Sequence, residues 1–260
     1  MLEAKLRQIM DAYPAKSALL CVDLTTGQRI AAINENTQVV SASTIKVMIL
    51  CCALQDVMDG RYSLDQFISV TPENFCDDTK VFTAEYRTDG CTLWEHLYWM
   101  IVSSDNTATN TVISLLGPDH ITAYCEKLGL HQSRVERKML DWDAIAQGRN
   151  NYTSPVDQLR IYELLYRGEI LNEELRAVAV DFLSRSRYYG GLLRYIPDAV
   201  TVLRKPGGLD HLSHDAGLFL TERPYFLGVF TWDGPAMDGE EDQQRLIGQL
   251  SRIVYDYMKD

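Results

Sequence analysis

The segments of this 260-residue chain that have strand character lie near its two ends, and a long stretch with helical periodicity separates them. An amphipathic helix is predicted at 2–13, and two strands joined by a hairpin at 18–23 and 28–33. Further strands are predicted at 199–204, 216–221 and 225–231, and a last helix at about 239–258. Strands so far apart in the chain can share a core only if the two ends pair.

The simplest packing is therefore an α/β (α+β) fold with one antiparallel sheet flanked by the N- and C-terminal helices. We expect residues 1–39 and 191–260 to form this α/β domain, and residues 40–190 to form an inserted all-α domain. A chain of this length can bury the core that such an arrangement needs. The stretch 131–153 is polar and has no clear period, and a loop that long in a compact domain is often functional.

The composition narrows the range of partners. The formal net charge of −11 argues against nucleic acids and anionic membranes, and no apolar run is long enough to span a bilayer. We expect a monomer that acts on a small molecule. The first residues do not resemble a signal peptide, which predicts a cytoplasmic protein if the chain is full length and an extracytoplasmic one if a leader was removed.

The six cysteines show neither a disulfide framework nor a metal-binding spacing. We expect them to be buried, reduced thiols. No metal and no organic cofactor is predicted.

The first polar cluster is Ser43-Thr44-Ile45-Lys46, which precedes an apolar run. On a helix, Ser43 and Lys46 lie one turn apart on the same face, with Lys46 leaning back toward Ser43. Burial of the following helix predicts a lowered lysine pKa and a neutral amine able to act as a base. Ser43 at the helix start also places its own N–H where an oxyanion would form.

Two more polar clusters follow, Ser104-Asp105-Asn106 and Lys205-Pro206-Gly207-Gly208. The first lies where two apolar helices meet, so its serine can relay a proton and its asparagine can orient a lysine and a substrate amide. The second ends a predicted strand, supplies a positive charge and lets substrate approach the backbone closely. Each cluster alone is weak, but all three in this order are rare by chance.

With these three motifs the chain resembles the class A β-lactamase family along most of its length. Further similarity lies in Thr107-Ala108-Thr109-Asn110, Asn151-Tyr152-Thr153-Ser154-Pro155 and His214-Asp215-Ala216-Gly217. The resemblance implies an α/β plus all-α fold with the site in the cleft between the two parts.

By the same resemblance, Ser43 is the acylated nucleophile, Lys46 its proton acceptor, and Ser104 the donor to the leaving nitrogen. Asn106 binds the substrate amide, Lys205 and Gly207 line the site, and the N–H groups of Ser43 and Gly208 form the oxyanion hole.

The chain departs from the family pattern in two places. No E-x-x-L-N element, the source of the glutamate that activates the hydrolytic water, is present in the long loop; Lys138 or Met139 lies near its expected position. Glu136 and Asp141 are the nearest carboxylates, although a partner for an arginine or an anchoring role suits them better. Pro206 replaces the Thr or Ser that helps to bind the substrate carboxylate, and it has neither hydroxyl nor N–H.

These features predict a β-lactamase-like serine hydrolase that forms an acyl-serine with a β-lactam or a related amide or ester and releases it slowly. A D-Ala-D-Ala peptidase or esterase of the same fold, and a penicillin-binding or sensing module without turnover, stay open as alternatives.

Overall fold

A computed structural model of the chain describes residues 2–79, 81–83, 89–186, 188, 190–236 and 240–259. The chain forms two compact units. One unit comprises Met1–Thr44, Thr153–Glu163 and Tyr188–Asp260, and the other comprises Ile45–Tyr152 and Leu164–Arg187.

The secondary-structure elements are named in chain order. The helices are α1 (Leu2–Asp11), α2 (Lys46–Met58), α3 (Leu93–Val102), α4 (Asn106–Leu116), α5 (Pro118–Lys127), α6 (Trp142–Ala146), α7 (Pro155–Arg167), α8 (Glu173–Ser184) and α9 (Glu240–Lys259). The strands are β1 (Lys16–Asp23), β2 (Arg29–Ile33), β3 (Val39–Val40), β4 (Phe67–Ser69), β5 (Gly90–Thr92), β6 (Tyr152–Thr153), β7 (Val202–Leu209), β8 (Leu212–Phe219) and β9 (Tyr225–Trp232). Single turns of 3-10 helix lie at Ala42–Ile45, Pro72–Asn74 and Gly191–Leu193.

The first unit is built on an antiparallel sheet with the strand order β2-β1-β9-β8-β7. Strand β1 pairs with β9 along its whole length, from Lys16 opposite Trp232 to Asp23 opposite Tyr225. The two ends of the chain therefore share one ladder, and the predicted α/β fold with an antiparallel sheet is confirmed. The predicted start of the last helix at 239 lies outside the described residues.

One face of this sheet is covered by the first and last helices. Both helices repeat apolar residues every three or four positions, which gives each an apolar stripe. The core on this face includes Leu6 and Met10 of α1, Leu19 of β1, Leu227 and Val229 of β9, and Leu246, Leu250 and Val254 of α9. Each fully buried leucine of this kind contributes about 1.5–3 kcal/mol relative to an exposed one.

The other face of the sheet contacts the start of α7. The Tyr162 hydroxyl donates to the Ala216 carbonyl oxygen at 3.0 Å, and the Tyr162 ring lies 5.9 Å from that of Phe226. These contacts place Thr153–Glu163 in the sheet unit, whereas the sequence prediction assigned that segment to the inserted domain. The signal that groups it with the sheet is tertiary packing, which local periodicity does not contain.

The second unit is centred on α2, whose residues from Lys46 to Leu54 are buried. Helix α3 begins with a capping box, in which Thr92 and Glu95 bind each other's backbone N–H groups. The unit is not all-α as predicted, because β4 and β5 form a small antiparallel sheet in it. Strands of three residues are too short to show a clear alternation in sequence. The loop at 131–153 likewise contains the short helix α6.

Strand β7 is longer than the sequence predicted. It continues through Lys205-Pro206-Gly207-Gly208 to Leu209, which lies opposite Leu212 of β8. Proline and glycine in the pattern favoured an early end, but β7 is an edge strand, where proline is tolerated. Lys205 therefore lies within the strand and not at its end.

The six cysteines are buried, as predicted. Among the described residues, no helix combines the length and the apolar character that crossing a bilayer requires.

A buried ion pair lies inside the sheet unit. Arg204 of β7 and Asp215 of β8 are almost fully buried and form a salt bridge, and Asp215 also accepts the Leu192 N–H at 2.9 Å. Burial raises the pKa of the Asp215 carboxyl, and the Arg204 charge opposes that rise. The register places both side chains on the sheet face opposite to Lys205, because side chains alternate along a strand.

We expect Asp215→Ala to destabilise the protein by about 3–5 kcal/mol, because it leaves the Arg204 charge buried without its partner. Denaturant unfolding measures this change in the free energy of unfolding. The control is Asp256→Ala, which removes an exposed i,i+4 pair with Arg252 and is expected to cost about 0.5 kcal/mol or less. Equal effects of the two substitutions would contradict the prediction.

Candidate active site

Ser43 lies in the 3-10 turn Ala42–Ile45, which leads directly into α2. The sequence predicted Ser43 on the α-helix itself, but α2 begins at Lys46. Ala42 has a φ of +45°, in the left-handed region, and Thr44 donates its N–H and its hydroxyl to the Ser41 carbonyl oxygen at 3.1 and 2.6 Å. Ser43 is half-buried between buried neighbours, so the turn presents its side chain on a fixed backbone.

Gly207 of β7 packs directly against this turn. A Cβ atom on Gly207 would lie 2.8 Å from the Ser43 backbone nitrogen and 2.9 Å from that of Thr44. Real Cβ atoms do not approach backbone this closely, so only glycine fits here. Gly207 thus lets the edge strand lie beside the backbone of the predicted nucleophile.

Lys46, the first residue of α2, is fully buried in the second unit. Its Nζ donates to the Ser104 carbonyl oxygen at 2.9 Å, to Asn106 Oδ1 at 2.8 Å and to Ser104 Oγ at 3.2 Å. The structure therefore brings together three predicted site residues that are up to 60 residues apart in the chain. The acceptors offset part of the cost of burying the amine.

The three contacts are compatible with both protonation states of Lys46. Two of the acceptors are carbonyl oxygens, which take an N–H from an ammonium or from a neutral amine. The third is a hydroxyl, which can accept from the ammonium or donate to the amine lone pair. The hydrogen bond between Lys46 and Ser104 is thus a route along which a proton can move in either direction.

Ser104 adopts a left-handed backbone conformation, with φ of +55°. This conformation costs on the order of 1–3 kcal/mol in a residue other than glycine and persists only where neighbours hold it. Asp105, which is buried, supplies that restraint: its Oδ1 caps α4 by accepting the Ala108 N–H at 2.8 Å, and its Oδ2 accepts the Thr79 hydroxyl at 2.8 Å. The strained turn directs the Ser104 carbonyl oxygen at Lys46.

Asn106 is bound at both ends of its amide. Its Oδ1 accepts from Lys46, and its Nδ2 donates to Asp78 Oδ2 at 2.7 Å. Sequence reasoning missed Asp78 and Thr79, because they lie in an irregular segment far from the recognised motifs. Asp78 is exposed. It accepts an N–H of Asn106, the side chain that the sequence predicted to bind a substrate amide.

Lys205 is almost fully buried, and its Nζ donates to the carbonyl oxygen of Pro206 at 2.8 Å. Along the next residues of the strand, Pro206 is half-buried, Gly207 is buried and Gly208 is exposed. On the neighbouring strand His214 lies opposite Gly207; burial lowers the pKa of His214 to about 4. The imidazole is therefore neutral near pH 7, and the lysine is the cation on this face of β7.

Residues 1–258 match the model of the beta-lactamase enzyme family. The chain belongs to that family. It is 28% identical over 219 residues to beta-lactamase FAR-1 of Nocardia farcinica, covering 80% of this chain and 67% of that protein.

Solved structures with the same fold include PBP-A and an ancestral class A β-lactamase. PBP-A has a TM-score of 0.90 and 24% identity, covering 99% of this chain and 96% of that one. The ancestral enzyme has a TM-score of 0.89 and 24% identity, covering 99% of this chain and 100% of that one. The chain is thus a β-lactamase-like serine hydrolase.

The carboxylate of Glu136 is bound by other residues of the long loop. Its carboxylate oxygens accept from Arg134 Nε at 2.6 Å and from the Asn150 N–H at 3.1 Å. Burial raises the pKa of Glu136, but the hydrogen bonds from Arg134 and Asn150 and the charges of Arg134 and Arg149 outweigh it, so the pKa is lowered. A carboxylate with a lowered pKa is a weaker base.

Asp141, the other carboxylate considered in the sequence, caps α6 by accepting the Ala144 N–H at 2.9 Å. The two residues near the expected place of the family glutamate also have partners. Lys138 Nζ donates to Asn74 Oδ1 at 2.5 Å, and the Met139 side chain is buried. The sequence predicted such anchoring contacts for the loop carboxylates as the better interpretation.

Asn110 holds this part of the loop against α4, and sequence reasoning gave it no role. Its Oδ1 accepts the Met139 N–H at 2.6 Å, and its Nδ2 donates to the Met139 carbonyl oxygen at 3.2 Å. Asn110 is one helical turn from Asn106, so the two amides lie on one face of α4. That i,i+4 spacing was the available signal, and it places the Met139 backbone beside the Asn106 turn.

We expect Gly207→Ala to slow acylation of Ser43 by about 10²-fold or more, because displacement of reacting groups by 1 Å can cost that much. The rate of adduct formation with a penicillin probe, followed by intact mass, measures the effect. Gly234→Ala is the control, since its added Cβ would meet the side chain of Gln243 and not backbone. An unchanged acylation rate in a folded Gly207→Ala protein would show that the close approach is unimportant.

Proposed function

We propose that this protein forms an acyl-serine at Ser43 with a β-lactam or a related amide or ester, and that it releases the acyl group slowly. The observation that carries the proposal is the buried amine of Lys46, which binds Ser104 and Asn106. Lys46 follows the 3-10 turn of Ser43 directly in the chain. A serine hydroxyl is a weak nucleophile, and an adjacent amine is one of the groups that can activate it.

The proposed reaction begins when Ser43 Oγ attacks the substrate carbonyl carbon and its proton passes to the neutral amine of Lys46. The oxyanion that develops is held by the backbone N–H groups of Ser43 and Gly208. As the C–N bond breaks, Ser104 passes its proton to the leaving nitrogen and regains one from Lys46. Lys205 and Asn106 bind the substrate carboxylate and amide.

Slow release rests on the long loop. Hydrolysis of an acyl-serine requires a base to activate water, and such a base contributes about 10²–10⁴-fold. Glu136 already accepts hydrogen bonds from Arg134 and Asn150, and Asp141 caps the N-terminus of α6. Neither carboxylate is therefore assigned to deacylation.

A penicillin-binding protein without efficient turnover, or a peptidase of this fold, is the second candidate. One supporting observation is that Asp78 already accepts one N–H of Asn106 Nδ2, so a substrate amide has to use the second N–H or displace Asp78. A mutant of PBP-A, which shares the fold, was solved as an acyl-enzyme complex with penicillin G. Both candidates require the same acyl-serine and differ in the rate of its loss.

We expect penicillin G to add its full mass to the wild-type protein, with the modification at Ser43, and a chromogenic cephalosporin to give a burst followed by slow turnover. Ser43→Ala should show neither adduct nor burst, and Ser184→Ala, which removes an exposed serine, should behave as wild type. Intact-mass and peptide analysis measure the adduct. If Ser43→Ala and wild type are indistinguishable, the proposal fails.

We expect Met139→Glu to shorten the lifetime of this adduct by about 10²-fold or more, because it places a carboxylate beside the Asn106 turn, where it can act as a general base. Lys138→Glu is the matched control, since the side chain at that position is directed to Asn74. Adduct mass after removal of free penicillin gives both lifetimes. Equal lifetimes in wild type and a folded Met139→Glu protein would show that the missing base does not limit release.

A further inference from the structure

A second cluster of reactive side chains lies in the second unit (the helical unit), apart from the residues described above. Cys52 and Asp56 are one turn apart on α2, and His120 lies in the first turn of α5. One ligand atom from each, the sulfur, a carboxylate oxygen and a ring nitrogen, lie within 4.8 Å of one another. Cys52 and Asp56 are buried, and the His120 side chain is 38% exposed.

Asp56 and His120 contact each other and both contact the guanidinium of Arg61. His120 Nε2 lies 3.0 and 2.9 Å from the two carboxylate oxygens of Asp56. The guanidinium of Arg61 forms a salt bridge with Asp56, and its Nη1 lies 3.2 Å from the same ring nitrogen. Nη1 of Arg61 therefore contacts both the carboxylate of Asp56 and the ring nitrogen of His120, which converge on the place that it occupies. A single Nε2 cannot donate to Asp56 and accept from Arg61 at once.

We propose that Cys52, Asp56 and His120 form a binding site for a divalent cation of the zinc class. Thiolate, imidazole and carboxylate are the ligands that Zn²⁺ takes in proteins, at about 2.0–2.3 Å. Tetrahedral coordination at such lengths requires ligand atoms about 3.3–3.8 Å apart, so the cluster needs to adjust by only about 1 Å. The exposed edge of His120 leaves a fourth position for water.

Arg61 can give way to the ion. Its side chain is 52% exposed, and its Nη2 already lies 3.7 Å from the carboxylate of Asp59. On metal binding Arg61 moves to Asp59 and solvent, and the Cys52 thiol releases its proton to water. Burial raises the pKa of that thiol, and Asp56 and Cys125 raise it further, so the metal has to displace this proton on binding.

Tyr124 of α5 supplies an independent observation. Its hydroxyl is buried and has no hydrogen-bond partner in the described part of the chain. Burial raises the pKa of Tyr124 most, and the neighbouring Cys51, Cys52, Cys125 and Asp56 raise it further. A metal-bound thiolate or water would provide an acceptor beside this phenol.

Titration of the 260-residue chain with Co²⁺ tests the proposal. We expect one Co²⁺ per chain, a thiolate-to-cobalt charge-transfer band, and loss of the band when Zn²⁺ is added. Zn²⁺ should also raise the melting temperature of the protein, since it binds the folded state. Absence of the thiolate band and of any zinc-dependent stabilisation in the wild type would overturn the proposal.

Matched variants locate the site. Cys52→Ala should abolish the band, while Cys51→Ala, which removes an equally buried thiol of α2, should keep it. His120→Gln should weaken Zn²⁺ binding by more than about tenfold, the lower bound for losing even an outer partner, and exposed His131→Gln should not. Equal effects within either pair would place the metal elsewhere and overturn the assignment.

Arg61→Gln tests the displacement step. It removes the cation that competes for Asp56, so the affinity for Zn²⁺ should rise. Unchanged or weaker binding would contradict the view that Arg61 occupies the place of the ion. Because Ser43, Lys46 and Ser104 are not altered, acylation by penicillin G in the same variants is expected to stay at the wild-type level.

Discussion

The buried amine of Lys46 is the constraint on which the helical unit depends. An ammonium taken out of water costs several kcal/mol unless acceptors surround it, and the apolar body of α2 offers none. The acceptors come from the turn between α3 and α4, where Ser104 turns its carbonyl oxygen and hydroxyl toward Nζ and Asn106 adds its Oδ1. That turn requires a left-handed Ser104, and the left-handed residue in turn requires Asp105, which binds Ala108 and Thr79.

The Ser43 turn in the sheet unit is held by hydrogen bonds and by close packing. Its left-handed Ala42 is followed by Thr44, whose N–H and hydroxyl both donate to the Ser41 carbonyl oxygen. The edge strand then lies so close that position 207 admits no side chain. Because β7 is an edge strand, proline at 206 does not break the ladder, and the strand continues past the turn. Close packing of β7 at Gly207 therefore helps to hold the Ser43 turn, as hydrogen bonds hold the Lys46 amine.

The sequence predicted those parts of the molecule that short-range patterns encode. The first and last helices and the strand character at both chain ends all depend on nearby residues, and the structure contains them. The motif residues Lys46, Ser104 and Asn106 do lie together. What could not be predicted depends on tertiary contact: Tyr162 binding Ala216, the extension of β7 through Pro206, the Asp78 contact to Asn106, and the approach of His120 to α2. No local periodicity carries such pairings.

The proposed imbalance between acylation and release follows from how carboxylates are used. In the long loop Glu136 binds Arg134 and the Asn150 N–H, and Asp141 caps α6. The hydrogen bonds and charges around Glu136 lower its pKa, so this carboxylate is a weaker base. Asp78 instead lies exposed on the amide of Asn106. Because the amide nitrogen carries two N–H groups and the Asp78 carboxylate is exposed to water, this contact can give way to another acceptor at small cost. The proposed imbalance therefore rests on the loop carboxylates and not on Asn106.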